Sequence, residues 1–391
     1  GGAFFPPVTL NLPHSTIMKR LALPFLAGPL LLLGPTSLHA SAGCCLGAGD
    51  FGLDGQWERP DSKEKGPKVV TFIHASFESS RPLYSELNRE FARQWSKLTG
   101  YKLTVTGSHG GSEAQARSIQ HGAEPDIISL ESPGIVDELA QKSALLPADW
   151  QSRLPHNSAP YTTTIVFVVD KGNPKNIRDW NDLVADGVKV ITPDPRTSGR
   201  GQWNYLAAWG HARRTLGSDS AARDFVKRIY DATPVLNSSA RGAADTFTRR
   251  GEGDVLLLWE SEAYELVKQR GNRQLEIVTP PSSLLVEPPV AWLDENLGKH
   301  GNARVSISFA KFLYTSEAQE IIARFHYRPR LPEAAAKAKV KLPSIQLFTV
   351  DELFGGWSVA AQQHFSKGQL ADQILGLADF SSAPSQPLAA R

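Results

Sequence analysis

Between residues 82 and 98 the apolar side chains Leu83, Leu87, Phe91 and Trp95 recur at four-residue spacing, the stripe of a helix that buries one face. The run before it, Val69-Val-Thr-Phe-Ile-His-Ala75, is β-branched and aromatic and predicts a buried strand. The two patterns then alternate. Strands are predicted over 103–106, 126–130, 164–169, 188–191 and 254–259, and helices over 113–120, from 135, and over 203–215, 221–230 and 261–269. Such alternation predicts an α/β protein with parallel sheets and helices on both faces. Leu284-Leu-Val-Glu-Pro-Pro-Val-Ala-Trp292 is extended but broken by two prolines, and reads as a crossover rather than a regular element. Helical patterns return at 303–314 and 316–325, and no internal repeat is visible.

The first 68 residues are patterned differently. Met18, the only methionine, precedes Lys19-Arg20, an apolar run from Leu21 to Leu33, and then small residues. This predicts a secretory signal over 18–43, too short and too broken by Pro and Gly for a stable membrane span. Translation is expected to start at Met18, with 1–17 as upstream sequence. Ala40-Ser41-Ala42 fits a small-x-small cleavage site, whereas Ser41-Ala42-Gly43-Cys44 resembles a lipobox and makes Cys44 a candidate for lipidation. Residues 44–68 read as a tether and 380–391 as a loose Pro/Ser/Ala-rich tail. Cys44 and Cys45 are the only cysteines. Adjacent cysteines rarely reach disulfide geometry, and neither has a ligand cluster nearby, so no metal or cofactor is expected.

With 391 residues the chain can build two domains with their own cores. Hydrophobic residues at 41% and charged residues at 21% place it among globular proteins. A net charge of only +2, with no block of Lys and Arg, argues against a general nucleic-acid binder.

Four short Ser/Gly loops run straight into helices: Ala75-Ser-Phe-Glu-Ser-Ser-Arg81, Gly107-Ser-His-Gly-Gly-Ser112, Arg196-Thr-Ser-Gly-Arg-Gly201 and Asn237-Ser-Ser-Ala-Arg-Gly242. A helix start offers unsatisfied N–H donors and the positive end of a dipole, so such a loop can hold an anion without a cationic side chain. Each alone is an ordinary capped helix. Four in one chain point to a shared anion cradle. No phosphate-binding loop, nucleophile elbow or HExxH motif is present. His109 reads as a loop residue rather than a base, since no acid or nucleophile pairs with it.

The body from about 69 to 374 resembles the bacterial periplasmic sulfate-binding proteins. The matching strings include Ser108-His-Gly-Gly-Ser112 with Gln115-Ala-Arg117, Leu154-Pro-His-Asn-Ser-Ala-Pro-Tyr161, and Thr197-Ser-Gly199 with Trp203-Asn-Tyr-Leu-Ala-Ala-Trp209. Others are Ala240-Arg-Gly-Ala243, Gly253-Asp-Val-Leu256 with Trp259-Glu260, Tyr327-Arg-Pro-Arg330, and Phe354-Gly-Gly-Trp357. The resemblance implies a two-lobed type II periplasmic-binding-protein fold with hinge crossovers. Lobe 1 would comprise 69–159 and 285–379, and lobe 2 would comprise 160–284.

It also implies a monomeric, non-enzymatic receptor that captures sulfate in the periplasm and delivers it to an ABC permease of the inner membrane. The implied ligand contacts are Glu78 through its amide, Ser112 through amide and hydroxyl, the Ser198 hydroxyl, the amides of Gly199, Arg200 and Ala240, and the Trp259 indole. Arg81, Gly110, Gly111 and Arg241 would support these loops. Sulfate carries no proton near neutral pH, so a cradle offering donors alone is expected, one that penalises a protonated phosphate.

Two positions depart from the family pattern. Phe77-Glu-Ser-Ser-Arg81 stands where the family has Tyr-Asp-Pro-Thr-Arg, and Ser198-Gly-Arg-Gly-Gln202 where it has Ser-Gly-Gly-Ala-Arg. If residue 200 needs a backbone that glycine prefers, Arg200 costs roughly 1 kcal/mol or more. If its side chain bends inward, the added charge broadens acceptance towards thiosulfate or another tetrahedral oxyanion. An exported hydrolase using Ser112 or Ser198 as nucleophile is the alternative of another class, and it lacks a visible base.

Overall fold

The computed structural model describes residues 69–268 and 274–376, all within one compact unit. The expected upstream segment, signal, tether, Cys44 lipidation site and C-terminal tail lie outside the described residues. No helix among the described residues is long and apolar enough to cross a membrane.

The strands, in chain order, are β1 (Val69–Phe77), β2 (Lys102–Gly110), β3 (Ile127–Ser129), β4 (Tyr161–Asp170), β5 (Val190–Ile191) and β6 (Val255–Trp259). They continue with β7 (Leu275–Val278), β8 (Ser282–Val286), β9 (Val290–Trp292), β10 (Arg328–Pro329) and β11 (Gln346–Phe348). The helices that matter here are α1 (Arg81–Thr99), α2 (Ser112–Gln120), α3 (Pro133–Lys142), α4 (Pro155–Ser158), α5 (Gly199–Leu216), α6 (Asp219–Asp231), α7 (Ala240–Thr248) and α8 (Glu260–Lys268).

Two sheets result. One has the order β2-β1-β3-β9, and the other is built around β4, in the order β11-β8-β4-β6-β5 with β7 and β10 also on β4. The pairs β1–β2, β1–β3 and β5–β6 are parallel, as the alternation of patterns predicts. The sheets are nevertheless mixed. β9 runs antiparallel to β3, and β4 runs antiparallel to β6, β7, β8 and β10. β4 and β9 are the first strands after the chain passes from one sheet to the other.

The proline-broken crossover is more regular than expected. Its first half, β8, belongs to the second sheet and its second half, β9, to the first. Only Glu287-Pro288-Pro289 between them is free of pairing, because proline has no N–H to give to a ladder.

Burial explains the long apolar runs. In β4, Ile165, Phe167 and Val169 face the main core while Val166 and Val168 face a smaller one, and β6 alternates likewise. A strand covered on both faces reads as continuously apolar. On the first sheet Phe72 and Ile127 join the main core with Leu83, Leu87, Phe91 and Trp95 of α1. Ala75 and Ile128 point to the opposite face, against α2 and α3.

The C-terminal segment, grouped with lobe 1 from the sequence, packs largely on α5. Phe348 lies so close to Gly210 that a Cβ there would sit 2.3 Å from its ring, and His364 Nδ1 is 3.1 Å from the Tyr205 hydroxyl. Trp357 packs edge-on against Trp203 at 4.5 Å.

Candidate ligand-binding cleft

Because β1, β2 and β3 are parallel, their carboxyl ends lie side by side. The loops after them carry Glu78 to Ser80, Gly111 and Ser112, and Glu131. In the second sheet, β5 leads towards the start of α5 and β6 into α8. Open α/β sheets bind ligands outside such strand ends. A cleft of about 720 Å³ is lined by Glu78, Gly111, Glu113 and Glu131 from the first sheet's loops, and by Ser198, Arg200, Ala240 and Arg241 from the second's. All four Ser/Gly loops therefore meet at one place.

Of the expected contact residues, Glu78, Ser198, Arg200 and Ala240 line the cleft, whereas Ser112, Gly199 and Trp259 are not among its lining residues. Ser112 is buried at the start of α2, where its Oγ accepts the Glu131 N–H at 3.0 Å. Ser198 caps α5, its Oγ accepting the Gly201 N–H at 3.4 Å, and Ser239 caps α7 through Gly242 at 3.1 Å. These caps leave Gly199 and Ala240 as the first residues of their helices. Trp259 ends β6, wholly buried, and its Nε1 has no hydrogen-bond partner among the described residues. Its ring shares a recess with Arg200 and Ala240 that is too tight for a water molecule.

The Glu78 side chain turns to Arg241, whose Nη1 donates to its Oε1 at 2.7 Å. Arg81 and Gly111 sit on the cleft wall, and Gly110 closes β2. Neither glycine has the positive φ that would demand one.

Arg200 carries no backbone strain. It is the second residue of α5 and has no left-handed φ, so an L side chain fits without cost. The side chain bends inward. Its guanidinium lies 5.0 Å from the Trp259 ring centre and 5.8 Å from that of Phe77. Nη2 donates to Ser79 Oγ at 2.6 Å and stands 3.0 Å from Glu131 Oε1 and 2.9 Å from Glu262 Oε1. The two carboxylate contacts are close in distance but not aligned as hydrogen bonds, and Arg200 Nε has no partner among the described residues.

Burial alone would lower the Arg200 pKa, but Glu131 and Glu262 outweigh it and hold the group charged. Glu131 responds the other way. Burial pushes its carboxyl up to about 7 despite Arg200, with Glu113, Glu262 and Glu78 adding repulsion.

The cradle of donors alone does not hold. The Glu113 carboxylate accepts the Gly199 N–H at 2.7 Å, and Glu131 and Glu262 bracket Arg200. Sequence reasoning missed all three. Glu113 sits in the first turn of α2, where an acidic residue reads as an ordinary dipole partner. Glu131 follows the end of β3, a position that hints at a site only once the strand is known to be parallel to β1. Glu262 lies in α8 with nothing to distinguish it from a solvated helix face. His109, expected as a loop residue, lies in β2 with Nδ1 2.7 Å from Ser76 Oγ.

The family profile of bacterial extracellular solute-binding proteins matches residues 76–328. The chain is similar to the sulfate-binding protein of Escherichia coli strain K12, 46% identical over 308 residues that make 78% of this chain and 93% of that one. It is also similar to the thiosulfate-binding protein of the same organism, 42% identical over 79% of this chain and 92% of that one. Among solved structures, the sulfate-binding protein SubI from Mycobacterium tuberculosis H37Rv superposes with a TM-score of 0.66 and 29% identity, covering 76% of this chain and all of that one.

Proposed function

This chain belongs to the family of bacterial extracellular solute-binding proteins, and from that premise we propose that it is the sulfate receptor of an ABC importer. In this reading it works outside the inner membrane, captures the anion between its lobes and passes it to the permease. The observation that carries the reading is convergence: helix starts and loops from both sheets face one cleft, with a buried indole N–H beside it that has no partner among the described residues. The ligand would take N–H groups from the starts of α2, α5 and α7, the hydroxyls of Ser112 and Ser198, and Trp259 Nε1. Charge-assisted hydrogen bonds to pre-positioned donors suit a dianion that cannot donate in return.

Thiosulfate shares the tetrahedral shape and charge, and the similarity to both kinds of relative keeps it as the second ligand. The carboxylates of Glu113 and Glu131 add lone pairs that a protonated phosphate could use, so the anion panel must include phosphate. A hydrolytic role finds no support at either serine. Ser112 Oγ accepts from Glu131 N and Ser198 Oγ from Gly201 N, and neither is hydrogen-bonded to a histidine among the described residues.

Calorimetric titration of the purified protein with sulfate, thiosulfate, phosphate and molybdate tests the reading. Tight binding of sulfate or thiosulfate, with phosphate much weaker, is expected. Binding of none of the four, or phosphate binding tightest, would overturn it.

A further inference from the structure

The start of α5 is already engaged by an anion of the protein's own. Glu113, in the first turn of α2 on the first-sheet side, reaches across the cleft and accepts the Gly199 N–H at 2.7 Å. A carboxylate on the leading amide of an eighteen-residue helix is held by both a charge-assisted hydrogen bond and the helix dipole. It also bridges the two sides of the cleft, as a captured oxyanion is proposed to do.

The surroundings sharpen the point. A Cβ built on Gly199 would lie 3.2 Å from Glu131 Oε2 and 3.5 Å from Glu113 Oε1, so two carboxylates converge on this one residue. The Arg200 charge also acts on Glu113, but its Nη2 donates to Ser79 Oγ and stands against the carboxylates of Glu131 and Glu262. A dianion approaching Gly199 N–H therefore meets an occupied donor and the carboxylate that occupies it. A second donor beside it is unsatisfied: Trp259 Nε1, fully buried in the adjoining recess with Arg200 and Ala240, is paired with nothing among the described residues. Glu113 itself is only half-buried and lines the open cleft, so it has room to swing out into water.

We propose that Glu113 is a tethered competitor of the oxyanion, holding the Gly199 amide until the ligand displaces it and thereby setting how tightly the protein binds. This rests on the receptor reading above. Displacing a charge-assisted hydrogen bond subtracts from ligand affinity what the bond contributes, roughly ten- to a hundredfold in Kd.

The test compares the full-length protein with Glu113→Gln and Glu113→Ala, titrating each with sodium sulfate and thiosulfate by calorimetry. Each protein is also labelled with ¹⁵N-glycine, so that the Gly199 amide is followed without added oxyanion. Expected are both variants binding roughly ten- to a hundredfold more tightly, alanine at least as tightly as glutamine, with an upfield move of the Gly199 amide proton in the alanine variant. Wild type binding as tightly as either variant, or a Gly199 amide that does not move, overturns the proposal and leaves the receptor reading standing. Failure of all three proteins to bind either anion overturns both.

Discussion

The starts of α5 and α7 are a natural experiment. Ser198-Gly199-Arg200-Gly201 and Ser239-Ala240-Arg241-Gly242 follow one design: a serine cap, a small first residue, an arginine, and a glycine whose amide the serine accepts. The caps behave alike. The arginines do not. The Arg200 side chain is 9% exposed and clamped between Glu131 and Glu262, whereas that of Arg241 is 69% exposed and meets Glu78 at the rim. A four-residue pattern thus fixes how a helix begins, but what surrounds the helix decides whether its arginine is a core cation or a solvated one.

The contrast is broken most directly by removing each arginine. Arg200→Ala leaves the buried Glu131 and the partly buried Glu262 without their cation and is expected to lower the unfolding free energy by about 3 kcal/mol. Arg241→Ala removes an exposed pair and should cost under about 1 kcal/mol. Urea unfolding of both variants measures the difference, and equal losses would mean that burial does not separate the two sites.

Trp259 forms the recess wall that α5 and α7 share through Arg200 and Ala240. Trp259→Phe keeps an aromatic ring but removes the unpartnered N–H, and should weaken sulfate binding by about 2 kcal/mol, roughly thirtyfold. Titration that finds unchanged affinity removes the indole from the site.

Protonation sharpens the comparison further. With the Glu131 carboxyl raised to about 7, the native state holds a proton that the unfolded chain has already released. The resulting stability is present at low pH and is lost as pH rises from about 4.5 through about 7, at roughly 1.4 kcal/mol per pH unit. His74, buried and lowered to about 3, opposes this by weakening the fold as pH falls below 6.5. The readout is therefore the difference between wild type and Glu131→Gln in unfolding at several pH values, which should slope through this window. A flat difference would show that Glu131 keeps an ordinary carboxylate pKa.

The caps themselves offer a matched pair. Ser198→Ala and Ser239→Ala each remove one cap and should each cost about 1 kcal/mol in stability. A cost several times larger at Ser198 alone would make that hydroxyl part of the buried Arg200 network rather than a cap.

The sequence by itself determined most of the long elements and their order. The four-residue stripe of α1, the doubly buried runs of β4 and β6, and the serine caps are local statements, governed by periods of 3.6 and 2 and by the donors of the first helical turn. It also placed the four loops that meet at the cleft, because loops that begin helices are visible as Ser/Gly strings. Only the tertiary structure decided the charge state of the cleft. Nothing in the string says that Glu113 faces Gly199, that Glu131 and Glu262 share Arg200, or that the prolines at 288 and 289 separate two strands of different sheets. Those facts depend on which strand ends are brought together across positions far apart in the chain. Electrostatic energies are set by distance and burial, which a sequence does not carry.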